Sequence, residues 1–347
     1  MKLNFRRGGA FASQYAKKFA ASKNPDDIKK ITVIRHAAIG DFIVIRPFLI
    51  ELKKFFPNAE VTLSVLRSSM YGMPEDLVDH IHIMDKVDPN NKAKKIGLIG
   101  RIKQAKSMPP QDIIFDLTDS ALTLLMIIFS PSKLTVGYSY RAFRRLFYNI
   151  STLRSDFVFE TQSILHQLNM FGANTQHYPL EYQLTTQTRN TDQPFIVYFP
   201  GASVKSKCWP EDKFVELIEK MCIDYPDYNH VILKGIQADE DFKAIYSPFL
   251  NQHNVIHQDP LPLDKIYDYL AQASLVIAGD TGVRHMAIGA NTPTLGIMWI
   301  PHLTALRYLP KIQQHQVVFN PNYTPPLADD VYKATHKMLS NIYSTDT

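Results

Sequence analysis

Three stretches of this chain combine residue types that suit phosphate and sugar chemistry. In the first, the apolar run Leu275-Val276-Ile277 breaks at Ala278-Gly279-Asp280-Thr281-Gly282 and resumes at helical spacing through Val283-Arg284-His285-Met286-Ala287. A strand that stops in a glycine-containing turn before a helix presents free backbone N–H groups at the helix's positive end, which favours a diphosphate. Gly279 and Gly282 allow close backbone approach and unusual φ/ψ, and Thr281 can add a hydroxyl donor. Asp280 is a poor phosphate ligand, but a carboxylate beside a diphosphate can accept hydrogen bonds from sugar hydroxyls. The pattern points to a nucleotide-activated sugar; the same tripeptide also serves as an ordinary strand-to-helix cap.

In the second stretch, the strand-like run 31–35 leads into His36-Ala37-Ala38-Ile39-Gly40-Asp41 and then a helical pattern to Phe56. Ligands of open α/β sheets bind at the carboxyl ends of strands, so both turns are candidate site loops, one in each half. Asp41, just after its turn, is the candidate general base. In the third, Pro200-Gly201-Ala202-Ser203 follows the strand pattern 195–199, and Lys207 precedes Trp209-Pro210, which reads as a helix entry. Lysine is a flexible point charge suited to phosphate. Lys205 is the alternative by spacing, a solvated loop lysine is the plainer reading, and Trp209 reads as packing.

Together these motifs resemble bacterial heptosyltransferases, glycosyltransferase family 9. Ile34-Arg35-His36-Ala37-Ala38-Ile39-Gly40-Asp41 with Pro47 and Leu49 is similar to the family's N-terminal signature. Gly201-Ala202-Ser203 with Lys207-Cys208-Trp209-Pro210 is similar to the middle one, and Asp280-Thr281-Gly282 with His285 to the last. The similarity also includes 112–117 and Val136-Gly137-Tyr138, and it covers about residues 30–320 in the family's order.

The resemblance implies a GT-B fold: α/β, two Rossmann-like parallel-sheet domains facing across a cleft. It also implies metal-independent, inverting transfer of a heptose from ADP-heptose to a lipopolysaccharide inner-core acceptor. Asp41 would be the base, and Lys207 would hold the donor diphosphate and help the nucleotide leave. Gly201, Ser203, Asp280, Thr281, Gly282 and His285 would complete the donor site, with Asp239 on the ribose or, equally, as a solvated helix-start carboxylate. Arg67, Arg141, Arg144 and Arg145 could bind acceptor phosphates, although solvated surface arginines are the plainer reading for some of them. No cofactor and no metal are implied. A family member using another nucleotide sugar or acceptor, and a catalytically silent nucleotide-sugar-binding protein, are the competing readings.

The chain departs from the family pattern after 294–298, where Trp299-Ile300-Pro301-His302 replaces an aromatic-glycine-proline turn. Thr118-Asp119-Ser120 adds an unassigned carboxylate, and Arg284 stands where a small or apolar residue is common.

Strand patterns at 31–35, 60–65, 81–84, 112–116 and 134–137, then 195–199, 230–233, 254–257, 275–278 and 294–298, alternate with helical ones, which predicts parallel sheets. The expected organisation is a basic amphipathic extension over 1–28, an acceptor-binding domain over 29–185 and a donor-binding domain over 186–325. A C-terminal helix over 326–347 could pack back on the N-terminal domain. Gln183 to Pro194 is the linker candidate. The extension has six Lys and Arg and no acidic residue through Lys23, with Phe5, Phe11, Tyr15 and Phe19 near helical spacing. A self-docked helix, a membrane-surface anchor and a transit peptide all fit it.

Composition sets the outer bounds. At 347 residues and 45% hydrophobic content, two ordinary domains with real cores are expected. Cys208 and Cys222 have no metal spacing and suggest a reducing cytosol. No Asp-x-Asp metal signature occupies a convincing strand end. The longest apolar run, 121–129, is far short of the roughly 20 residues a membrane span needs. The chain is net +5, and residues 1–185 carry 25 Lys and Arg against 16 Asp and Glu. That half should meet an anionic partner; a phosphorylated lipid or oligosaccharide at a membrane surface fits, and no nucleic-acid module is visible. The expectation is a monomer in the cytoplasm, peripheral on the inner face of the bacterial inner membrane.

Overall fold

Strands β2 (Lys30–Ile34), β3 (Glu60–Leu66) and β7 (Gln111–Asp116) are buried on both sides of the pleat, as parallel strands covered by helices must be. In the computed structural model, which describes every residue except 2, 4–9, 139–141, 176–178, 300–304 and 346–347, the chain forms two units, Met1–Glu181 and Tyr182–Thr347.

The first unit adds β1 (Phe11–Ala12), β4 (His80–Met84), β8 (Ser132–Tyr138) and β9 (Ile150–Thr152) to give the order β1-β9-β8-β7-β2-β3-β4. Every pairing is parallel except that of β1 with β9. A separate hairpin joins β5 (Val87–Asp88) to β6 (Asn91–Lys95). From β2 the chain builds outward through β3 and β4, then returns to β7 on the other side. The C-terminal ends of β2 and β7 therefore flank the sheet's switch point, where ligand loops belong.

Helix α1 (Gln14–Ala21) buries Ala16 and Ala20 and lays Phe19 against the first unit's core. It is a docked element of this unit, so part of the apolar face that a membrane anchor would use is already covered. Lys2, Phe5, Arg6 and Arg7 lie outside the described residues. Helix α2 (Ile39–Phe55) is buried along most of its length and packs on α5 (Glu160–Asn169). Helices α3 (Leu98–Lys106) and α4 (Ala121–Phe129) pack together, with Ala105, Leu122, Met126 and Ile127 in one core cluster.

The second unit is a six-stranded parallel sheet. It comprises β10 (Phe195–Phe199), β11 (Asn229–Leu233), β12 (Val255–Gln258), β13 (Leu275–Ala278), β14 (Thr294–Met298) and β15 (His315–Phe319), in the order β12-β11-β10-β13-β14-β15. Its switch point lies between β10 and β13. Helices α6 (Glu211–Asp224), α7 (Lys243–Tyr246), α8 (Leu263–Gln272) and α9 (Gly282–Gly289) connect the strands.

The terminal helix α10 (Ala328–Thr345) packs on α6, β14 and β15, with Val331, Met338 and Leu339 in the second unit's core. Its apolar face is thus buried in its own unit. No helix among the described residues is long and apolar enough to cross a membrane.

Candidate active site

At the first switch point, the β2–α2 turn and the loop after β7 are tied together. Leu117 N donates to Ile34 O at 3.0 Å and His36 N to Thr118 Oγ1 at 2.8 Å. Asp41 sits in the first turn of α2, whose N-cap, Ala38, supplies no side-chain cap. Its Oδ1 accepts from Arg35 Nη2 at 2.5 Å, and the carboxylate stays 29% exposed. Arg35 is buried; it also donates to Leu117 O and lies 3.6 Å from Oε1 of Glu160, which is fully buried and held by Arg154 at 2.5 Å. Two arginines thus compensate a carboxylate that could not otherwise remain charged in the interior. His36, in the same turn, contacts Ser64 Oγ at 3.2 Å; burial, then the positive charges of His82 and Lys86, push it down to about 3.

Asp119, which the sequence left unassigned, adopts a left-handed φ of 57° and is buried in an ion pair with Arg144. Arg144 also donates to the Asp119 carbonyl at 2.6 Å. This removes Arg144 from the acceptor arginines: its charge is matched and out of solvent. Arg145 is exposed, with its guanidinium 4.3 Å from the Phe11 ring centroid. Arg67 is 50% exposed and forked onto Asp85 at 2.6 and 3.2 Å. Arg141 lies outside the described residues.

At the second switch point, the loop after β10 meets the loop after β13. Lys207 Nζ donates to Asp280 Oδ2 at 3.0 Å, a pairing across 73 positions of sequence. His285 Nε2 lies 3.8 Å from Asp280 Oδ1, and its ring is edge-on to Tyr308 at 5.1 Å. Burial would raise the Asp280 carboxyl, but His285 and Lys207 outweigh it and hold it well below the ordinary carboxylate range. Lys207 is the lysine placed on the site, whereas Lys205 is exposed. Trp209 is core, edge-on to Phe214 at 4.8 Å, and its Nε1 donates to Pro326 O at 2.9 Å.

Thr281 is the N-cap of α9 and makes no side-chain cap bond, so its hydroxyl is not engaged in capping. The conformational freedom of the two glycines is not used for a left-handed turn. Gly282 opens the helix, and Gly279 has no left-handed φ; a Cβ there would lie 3.5 Å from the Lys207 carbonyl, an ordinary contact. Ser203 is exposed in the same loop as Lys207.

Asp239 is exposed, while its neighbour Glu240 folds over two strand ends. A Cβ at Gly201 would lie 2.7 Å from Glu240 Oε1, and one at Gly235 would strike the same carboxylate. Asp239 therefore stands in solvent, and the turn at 235–240 aims its neighbour at the two strand ends. Arg284 does not reach outward. It is fully buried against Gly296, donates to Tyr308 O at 3.1 Å, and is pushed down to about 10 by burial. Of the departing segment, 300–302 lies outside the described residues. Among the described residues no three His, Cys, Asp or Glu gather as a metal site requires.

Two Rossmann-like units with charged loops at both switch points are the architecture of the GT-B class. Residues 102–303 match the profile of glycosyltransferase family 9 (heptosyltransferase), and the chain belongs to that family. It is 22% identical over 291 residues to lipopolysaccharide heptosyltransferase 1 of Campylobacter coli, covering 77% of this chain and 83% of that protein. Its fold is similar to that of a family 9 glycosyltransferase from Veillonella parvula, with a TM-score of 0.67 at 18% identity over 90% of this chain and 98% of the other. It is equally similar to E. coli heptosyltransferase WaaC, solved with ADP-2-deoxy-2-fluoro heptose, with a TM-score of 0.67 at 16% identity over 89% and 99% of the two chains.

Proposed function

We propose that this enzyme transfers a heptose from ADP-heptose to a phosphorylated inner-core sugar of lipopolysaccharide, with inversion and without a metal ion. The observation that carries the reading is the Lys207–Asp280 pair beside the uncapped start of α9. It is a cation and a set of backbone donors at the carboxyl end of the sheet, suited to a departing diphosphate. The similarity to a lipopolysaccharide heptosyltransferase, and to a structure solved with an ADP-heptose analogue, supports the choice of substrates.

In this reading Asp41 takes the proton from an acceptor hydroxyl as that oxygen attacks the anomeric carbon. The bond from that carbon to the diphosphate oxygen breaks, and the nucleotide leaves with its new charge facing Lys207 and the amides around Thr281 and Gly282. A single displacement inverts the anomeric centre. Asp280 orients Lys207 and can accept from sugar hydroxyls, and Asp239 or its neighbour Glu240 would take the ribose. Arg67 and Arg145 are the remaining described candidates for acceptor phosphate. The enzyme would act as a monomer in the cytoplasm, at the membrane face where such an acceptor is presented.

The test is thermal stabilisation by a panel of nucleotide sugars, followed by transfer assays with Asp41→Asn. ADP-heptose should give the largest rise in Tm, since a ligand selective for the folded state stabilises it by mass action. Asp41→Asn should retain that rise and lose turnover by about 10²–10⁴-fold. A larger rise with another nucleotide sugar would redirect the substrate assignment, and normal turnover of Asp41→Asn would remove the base.

A further inference from the structure

Besides the basic stretch 1–23, one short internal segment carries a strong positive charge. Residues 86–106 contain seven Lys and Arg and one Asp, net +6, against net +5 for the whole chain. The segment folds as the β5–β6 hairpin followed directly by α3. Val87 faces Lys95 in register and Ile96 N donates to Lys86 O at 3.0 Å, which sets the hairpin beside the start of the helix. Lys86, Lys94 and Lys95 are exposed.

Helix α3 turns Ala105 into the core, and the opposite face carries Ile99, Lys103 and Lys106 at i, i+4 and i+7, all exposed. Leu98 is 60% exposed and Ile99 74%. Single exposed aliphatics are common and need no explanation. Two adjacent ones at a helix start, bordered by five exposed lysines, form the pattern of an interfacial element: apolar groups that enter the headgroup boundary and cations that meet lipid phosphates.

We infer that the β5–β6 hairpin and the first turns of α3 form a docking surface for an anionic lipid bilayer. Leu98 and Ile99 enter the interface, and Lys86, Lys94, Lys95 and Lys103 face the phosphate layer. Charge complementarity selects the occupant, because a segment of net +6 attracts an anionic surface. The aliphatic pair selects a bilayer over a nucleic acid, which would use the lysines and leave Leu98 and Ile99 in water. Helix α1 is the less suitable anchor, with Ala16 and Ala20 buried and Phe19 against the core. The inference rests on the proposed function only in that a lipid-borne acceptor gives the enzyme a reason to sit on a membrane.

The experiment is co-sedimentation of the full chain with phosphatidylcholine vesicles, with and without phosphatidylglycerol, alongside transfer to a delipidated, water-soluble acceptor. Binding should require phosphatidylglycerol and fall with salt. Lys94→Gln with Lys95→Gln should weaken it about 25-fold, from roughly fivefold per lysine. Leu98→Ser with Ile99→Ser should weaken it about tenfold or more. Lys17→Gln with Lys18→Gln on α1 should leave it within about twofold, two surface lysines off the platform being a weak electrostatic contribution. All variants should keep the wild-type Tm and the wild-type rate on the soluble acceptor, since the changed side chains are solvent-exposed.

Failure of the wild type to sediment with anionic vesicles would overturn the inference. So would a loss centred on the α1 pair, or undiminished binding by the Leu98 and Ile99 variant, which would make the segment a general polyanion site. A wild type that binds vesicles but transfers nothing would sink the proposed substrates and leave the surface standing.

Discussion

Arg35 Nη2 lies 2.5 Å from Asp41 Oδ1 while Arg35 Nη1 lies 3.6 Å from Glu160 Oε1, so one buried guanidinium joins the candidate base to a carboxylate with no solvent exposure. The charges run on to Arg154, which holds the other side of Glu160. The orientation of the Asp41 carboxylate therefore depends on α5, an element far from it in sequence.

Removing Arg35 should damage both folding and rate. Arg35→Met takes one cation from the buried Glu160 and should cost about 3 kcal/mol of stability, read as a fall in denaturation midpoint. It should also lower kcat, because Asp41 loses the contact that fixes its Oδ1. Arg35→Lys keeps the charge without the fork, so stability should recover more than kcat. A Met variant with wild-type kcat would show that Asp41 needs no positioning.

Lys207→Ala should weaken the donor and slow the chemical step by about 10²-fold, because the charge acts on the leaving diphosphate. Transfer should continue in excess chelator, the cation and the α9 amides standing in for a metal. Activity lost in chelator and restored by magnesium or manganese would refute the metal-free mechanism.

Arg144 is a stability residue in this structure. Arg144→Ala strands the buried Asp119 carboxylate and should cost about 3–5 kcal/mol, with the acceptor KM no more salt-dependent than before. Arg145→Ala, on the surface, should leave stability nearly unchanged and raise the acceptor KM at low salt if it holds a phosphate. Equilibrium unfolding and acceptor titrations on the same variants separate the two.

Acid should unfold the protein through histidines that are neutral when folded. Burial pushes His230 down to about 4; His315 falls to about 3 through burial and the Arg284 charge, and His36 to about 3. A folded-state value below the unfolded one means that unfolding takes up protons below about pH 6.5. Stability should therefore fall as pH drops from 6.5 toward 4 and 3, at about 1.4 kcal/mol per pH unit for each histidine and about 4 for the three near pH 5. Urea midpoints across that range test it; a flat profile would mean the three are charged in the native state.

Much of the fold is legible in local pattern. The ten strand patterns all became strands, because a doubly covered parallel strand must be apolar throughout and the turn after it must break that run. The strands missed are β1 and β9, of two and three residues, too short to carry a period, and β15, whose His315-Gln316-Val317-Val318-Phe319 is only partly buried. The hairpin of β5 and β6 escaped for a related reason: Asn91-Lys92-Ala93-Lys94-Lys95 pairs through its backbone and has almost no apolar residue to announce it.

For the site, sequence alone determined which loops are candidates. Asp41, Lys207, Asp280, Thr281 and Gly282 follow strand ends, and a strand end is a local property of the chain. Tertiary structure decided which charges are free. Lys207 meets Asp280, Arg144 meets Asp119 and Arg35 bridges Asp41 and Glu160 only after the sheets have assembled. An exposed and a buried arginine read alike in a string of letters, and the difference lies in desolvation, which depends on everything packed around them.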